Sequence, residues 1–250
     1  MKHYKLEYLF ALSIIVLFSA CTINLQSKIA KDPLAVKNLN LSNKFLKEIP
    51  KEVFECKNLE TLVLFRNSIT TIPKEIGELK KLKRLILAAN KIEELPEELF
   101  YLTNLEYLSI AFNNILKIPP AIGNLTKLET LKLNNNKIAV MPASFTFLEK
   151  LDEFTIAEND LIFLPEEIGG MHSLEYFDIS GNNIEQLPSN IGLLQSLIQL
   201  TMTGNGTLTY VPDNICNLQN LETVYIDDNS YVPGCWLNNR QRFPQIIVVQ

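Results

Sequence analysis

From Leu59 onward one motif recurs: Leu59-xx-Leu62-x-Leu64-xx-Asn67-x-Ile69-xx-Ile72-Pro73-xx-Ile76-xx-Leu79, restarting every 23 residues at Leu82, Leu105, Leu128, Leu151 and Leu174. Self-similarity at a fixed period of this length signals a repeat architecture and constrains the fold more than any local propensity. Leu197 opens a repeat one residue longer, and Leu221 opens the last. Upstream, Val36-Lys37-Asn38-Leu39-Asn40-Leu41 begins a first repeat, with Lys44 where the others carry Asn. Nine repeats result, the ninth incomplete. Eight of the twelve prolines, from Pro50 to Pro212, occupy the same position of the repeat.

The physics of one repeat follows from its spacing. Leu62-x-Leu64 has a period of two, so these side chains face one way while residues 61, 63 and 65 face the other. That predicts a short parallel strand. Asn67, Asn90, Asn113, Asn136, Asn159, Asn182, Asn205 and Asn229 come where the chain turns inward. A carboxamide both donates and accepts, so stacked Asn side chains can satisfy buried turn backbone from repeat to repeat. The proline then suits the first turn of a short helix or 3-10 segment, where its missing N–H is not needed. Strands stacked about 4.8 Å apart give a curved solenoid roughly 40 Å long with strands on its inner face.

This pattern resembles the leucine-rich repeat family, in the 23-residue form with a Leu-Pro-xx-Ile second half, across about 200 of the 250 residues. The resemblance implies an α/β solenoid, a horseshoe with a parallel concave sheet and short helical or 3-10 segments on the convex side. Residues 34–233 are assigned to the repeats and 234–250 to a C-terminal cap. In that cap, Trp236 to Phe243 suits one amphipathic turn or short helix ended by Pro244. Ile246-Ile247-Val248-Val249 is β-branched enough for a final strand that closes the edge.

The amino terminus reads as an export signal: Lys2 and Lys5 precede an apolar run from Leu9 to Ala20. Twelve residues of helix span only about 18 Å, short of the roughly 30 Å hydrocarbon layer, so a permanent transmembrane anchor is the poorer reading. Leu17-Phe18-Ser19-Ala20-Cys21 resembles a bacterial lipobox, with Phe18 where an aliphatic residue is usual. The resemblance implies a signal peptide over residues 1–20 and lipid attachment at Cys21. The alternative is ordinary cleavage nearby with Cys21 a free thiol. Residues 21–33 then form a polar tether, reaching at most about 40 Å if extended. The expected location is the bacterial cell envelope, outer membrane or cell surface, with the chain held on the membrane by its lipid.

Composition removes several function classes. The 47% hydrophobic content supports a sizeable core, and the net charge of −5 is the wrong sign for nucleic acid. Removing residues 1–20 leaves 21 basic against 27 acidic residues. No phosphate-binding glycine loop, zinc-type cysteine pair or kinase signature is present. His172, the single histidine after residue 20, reads as a solvated loop residue, and no cofactor or catalytic group is expected. Asp227, Asp228 and Asn229 with Asp178 offer oxygen ligands to calcium, but a solvated turn is the favoured reading and no metal is assigned. Cys56 stands at a core leucine position. Cys216 and Cys235 lie in adjacent coils that a disulfide would staple.

Binding is expected on the concave face. Its central outward positions read Asn40, Val63, Ile86, Ser109, Lys132, Thr155, Asp178, Thr201 and Tyr225. Val63, Phe65, Ile86, Ala88, Tyr107, Ala111 and Phe112 form an apolar cluster edged by Arg66 and Arg84, the aromatic and arginine mixture found at interface hot spots. Strand propensity alone would also place such residues there. Toward the C-terminus Asp152, Glu153, Glu158, Glu175, Asp178, Glu222, Asp227 and Asp228 make the face acidic, fit to steer a basic partner or simply to keep a repeat protein soluble. The expected role is a non-enzymatic module for a protein ligand. A surface adhesin for host matrix or serum proteins, or a purely structural envelope protein, is the alternative.

Overall fold

A computed structural model describes residues 31–206, 208, 210–228, 231–238 and 245–249. The leader, Cys21 and the tether to Ala30 lie outside these residues, as do Asn229 and positions 239–244 of the tail. Ten strands form one sheet in strict chain order. They are β1 Asn38–Asn40, β2 Thr61–Val63, β3 Arg84–Ile86, β4 Tyr107–Ser109, β5 Thr130–Lys132, β6 Glu153–Thr155, β7 Tyr176–Asp178, β8 Gln199–Thr201, β9 Thr223–Asp227 and β10 Gln245–Val249. Every pairing is parallel.

The period of the sequence becomes the register of the sheet. Leu39, Leu62, Leu85, Leu108 and Leu131 are mutual partners, 23 residues apart, and all are buried. Phe154 and Phe177 continue the file; with Phe145 they stack at ring-centroid distances of 5.1 and 5.4 Å, an aromatic spine inside the middle of the solenoid. The longer repeat shifts the offset to 24, pairing Leu200 with Val224.

On the opposite side each proline caps a five-residue 3-10 turn, as in Lys74–Glu78 after Pro73. The turn closes through bonds from Ile76 N–H to Pro73 O at 3.1 Å and from Leu79 N–H to Ile76 O at 3.2 Å. The choice of 3-10 over α has a steric cause. An α-helix is about 10 Å across with its side chains, whereas strands repeat about every 4.8 Å. At the fourth residue after the proline the coils pack closest where that residue is glycine: a Cβ on Gly77 would stand 2.6 Å from Glu98 O, and one on Gly192 only 2.0 Å from Asn214 O, whereas the repeat of Phe100 buries a whole ring at the same position.

The asparagines form the predicted ladder. Asn113 Nδ2 donates to Ile110 O in its own coil at 2.9 Å and to Leu87 O in the previous coil at 3.1 Å, while Oδ1 accepts from Ile92 N–H at 2.9 Å. Asn67, Asn90, Asn136, Asn159, Asn182 and Asn205 repeat these three bonds. From Leu64 O to Ile179 O each of these carbonyls therefore receives two carboxamide donors, which is how a buried irregular turn keeps its backbone satisfied.

At the far end, Cys216 takes the position that glycine holds in the repeats of Gly169 and Gly192. There the neighbour is not another repeat but helix α1, Gly234–Asn238. The structure joins Cys216 to Cys235 of α1, with Cα atoms 6.2 Å apart, and buries Trp236 beside them. β10 then adds to β9 as a final parallel strand.

Candidate functional site

The pleat of each three-residue strand buries its middle residue and turns the two beside it toward the inner face, so every strand from β2 to β8 contributes two side chains there, Ser109 alone among them being covered. Val63, Ile86, Ser109, Lys132, Thr155, Asp178 and Thr201 lie in one file along it. Thr61, Arg84, Tyr107, Thr130, Glu153 and Tyr176 form the parallel file.

The expected cluster divides between these files and the turn beyond them. Val63 and Ile86 are strand neighbours, both half-buried. The Arg84 guanidinium lies 3.6 Å from the centroid of the Tyr107 ring, and that of Arg66 lies 5.2 Å from the Phe65 ring. Both arginines therefore sit on aromatic faces, a geometry favoured by the ring quadrupole. Ala88 and Ala111 are only 7% and 5% exposed and contribute a floor rather than a contact surface.

Arg66 and Phe112 are not strand residues. They occupy a position, directly before the ladder asparagine, where the backbone turns left-handed: φ is +53° at Arg66, +58° at Ala89, +56° at Phe112, +57° at Asn135, +54° at Glu158, +61° at Gly181 and +69° at Gly204. This conformation is disfavoured for any residue with a Cβ. It sets a rim along the edge of the sheet, and Phe112, 54% exposed, stands on that rim. Glycine in two of seven repeats and asparagine in one were the available sequence signal.

Between rim and strands runs a trough of about 570 Å³ spanning the coils from Phe65 to Ser180. Ala88, Ser109, Ala111 and Ala157 floor it, each less than 8% exposed. Phe65 and Phe112 wall its first half. Further along, Lys132 is ion-paired with Glu153 at 2.8 Å. The last third holds Glu158 and Asp178, and neither has a cation within ion-pair distance among the described residues. The Asp178 carboxylate accepts from Ser180 N–H at 3.0 Å and Ser180 Oγ–H at 2.6 Å. The trough thus takes in Phe65 and Phe112 of the expected contact residues, leaves Val63, Arg66, Arg84, Ile86 and Tyr107 beside it, and adds the Lys132 to Ser180 stretch.

Other candidates resolve into structural roles. Asp227 Oδ1 accepts from Gly204 N–H at 3.0 Å, and among the described residues no three His, Cys, Asp or Glu side chains gather as metal ligands would. Cys56 is fully buried, and burial, then the nearby Glu55, pushes its thiol above the ordinary range. His172 is exposed. Among the described residues no helix is long and apolar enough to cross a membrane.

Comparisons with known proteins agree with this geometry. Leucine-rich repeat models match residues 35–92, 80–138 and 173–194. A leucine-rich-repeat protein of Leptospira interrogans is similar at 35% identity and a TM-score of 0.78, over 86% of this chain and 54% of that one. This chain therefore spans about half the length of that relative. An internalin (inlF) of Listeria monocytogenes shares the fold at 24% identity and a TM-score of 0.70, over 81% of this chain and 62% of that one. A plant peptide hormone receptor, solved in complex with RGF2, is similar at 28% identity and a TM-score of 0.71, over 84% and 35%. No curated protein matches.

Proposed function

The chain belongs to the leucine-rich repeat family, and from that premise we propose that it is an exported, lipid-anchored, non-enzymatic module that binds a protein ligand on its concave face. The observation that carries this reading is the trough, assembled from six successive coils and edged by arginine-stacked aromatic side chains. Large apolar groups held at an open surface favour association. The similar plant protein is a peptide hormone receptor, which supports a protein or peptide ligand here.

Export and anchoring rest on the leader and on Cys21, which acylation would turn into a membrane attachment in the bacterial envelope. The Cys216–Cys235 pairing supports export, since disulfides persist in oxidising compartments. Two or more acyl chains give stable attachment where one is marginal.

The test compares the wild-type chain with Phe65→Glu/Ile86→Glu/Tyr107→Glu after checking that their melting temperatures agree. A protein captured by the first and lost by the second supports the concave-face reading; identical captures refute it. Mass spectrometry of the protein from membranes, beside Cys21→Ser, reads the anchor: loss of acyl mass and of membrane association is expected in the variant.

A further inference from the structure

We propose that the trough takes an extended peptide segment carrying one aromatic or large aliphatic side chain and, about five residues away, a pair of basic residues. The inference rests on the concave-face reading and names the chemistry of its ligand.

Dimensions come first. Phe65 and Ser180 are five strand steps apart, about 24 Å at roughly 4.8 Å per step, which an extended chain covers with about seven residues. Between β1 and β10 every strand is hydrogen-bonded on both sides, so a ligand lying across the strands cannot add to the sheet. Its recognition falls to side chains.

The side chains are polarised along the trough. Phe65 and Phe112 stand two coils apart, about 10 Å along the trough, and Ala88 and Ala111 make the small apolar floor beside them, a lining that suits one large apolar group. Arg66 rests against Phe65 at that end and repels a cation. Lys132, midway, is neutralised by Glu153. Glu158 and Asp178 leave the other end with two carboxylates that have no cation partner among the described residues. A ligand with its apolar group at the phenylalanine end and its cations at the carboxylate end matches both, and the reversed orientation meets like charge at Arg66. From the midpoint of the two rings to the carboxylates is about 3.5 strand steps, or roughly 17 Å, which sets the separation at about five extended residues.

The experiment uses the whole chain purified in mild detergent and fluorescein-labelled nonapeptides read by fluorescence anisotropy. One probe carries Phe and a Lys-Arg pair at that separation, made in both sequence directions. Its controls replace Lys-Arg by Glu-Glu, or Phe by Ser. In its better direction the first probe is expected to bind at least about tenfold more tightly than either control, with the margin over Glu-Glu shrinking as salt rises. In Glu158→Lys/Asp178→Lys, with an unchanged melting temperature, the preference is expected to reverse toward Glu-Glu. Equal binding of Lys-Arg and Glu-Glu probes, no binding up to millimolar peptide, or a double variant that keeps the wild-type preference overturns the proposal. If that happens while the triple glutamate variant still loses its captured protein, the peptide inference fails alone. If the triple variant also behaves as wild type, the concave-face reading falls with it.

Discussion

Asn113 is the residue whose replacement reads the ladder most directly. In Asn113→Ala, Leu87 O still accepts from Asn90 Nδ2 at 2.9 Å and Ile110 O still accepts from Asn136 Nδ2 at 3.1 Å. Ile92 N–H, bound only to Asn113 Oδ1, is stranded in a buried turn. One orphaned buried donor costs about 1–3 kcal/mol and each of the surrendered bonds to Leu87 O and Ile110 O about 0.5–1 kcal/mol, while the third, to Ala111 O at 3.2 Å, adds little because Ala89 N–H still donates there. The expected loss is therefore about 2–5 kcal/mol, before any cavity term. Asn113→Asp separates the donor and acceptor roles. Its carboxylate keeps the bond from Ile92 but sets charge against the oxygens of Leu87, Ile110 and Ala111, which accept from the native Nδ2. Burial beside carbonyl oxygens raises the folded-state pKa above its unfolded value of about 3.9. An acid with a raised folded pKa holds its proton more tightly when folded. The Asp variant accordingly gains on wild type as pH falls through that folded value, and the deficit is full above it. Urea unfolding followed by circular dichroism at pH 7 and pH 4, at matched slopes, measures both effects. A loss under about 1 kcal/mol for the Ala variant, or an Asp deficit independent of pH, would refute the ladder account.

Gly192→Ala is expected to destabilise by about 1–3 kcal/mol, because its Cβ would meet the Asn214 carbonyl oxygen at 2.0 Å; Gly206→Ala, with nothing within 4 Å, serves as the control, and equal melting temperatures would contradict the packing argument. In the chain from Thr22 on, thiol titration at pH 8 should find no reactive thiol in the native state and one, Cys56, after unfolding without reductant. Three thiols on unfolding would remove the Cys216–Cys235 bridge. Cys216→Ser/Cys235→Ser should lower stability by about 3 kcal/mol, the loss expected from opening a loop of this length.

The repeat made nearly all of the scaffold legible because packing and hydrogen bonding here are periodic: a residue such as Leu85 or Asn90 has the same neighbours as its equivalents one coil away. The turn type was not legible, since proline followed by polar residues suits both a short helix and a 3-10 segment. Inter-coil distance decided it, a quantity that no single repeat contains. At the candidate site, Val63 and Ile86 follow from strand alternation. Ala88 and Ala111 do not, because their small size makes them floor, and floor is defined by the taller side chains around it. The rim escaped for a different reason. A positive φ at Arg66 or Phe112 contradicts the preference of those residues, and only Gly181, Gly204 and the asparagine Asn135 advertise the conformation in this series.

That contradiction yields the sharpest separation of scaffold from display. At an ordinary exposed turn position glycine is less stable than alanine, by roughly 0.5–1 kcal/mol of extra unfolded-chain entropy. At φ near +54° the order should invert, because a Cβ there costs about 1–2 kcal/mol that glycine does not incur. Glu158 is exposed and has no ion-pair partner among the described residues, so its side chain offsets little of that cost. Glu158→Gly should therefore be more stable than Glu158→Ala by several tenths of a kcal/mol or more, which differential scanning calorimetry can resolve. Gly181, the equivalent residue one coil on, shows the unstrained solution in this same fold. Glycine equal to or below alanine would mean that the rim is relaxed at this position. With glycine above alanine, the chain retains a carboxylate where a glycine would serve the fold better, and that points to a use for the carboxylate at the trough.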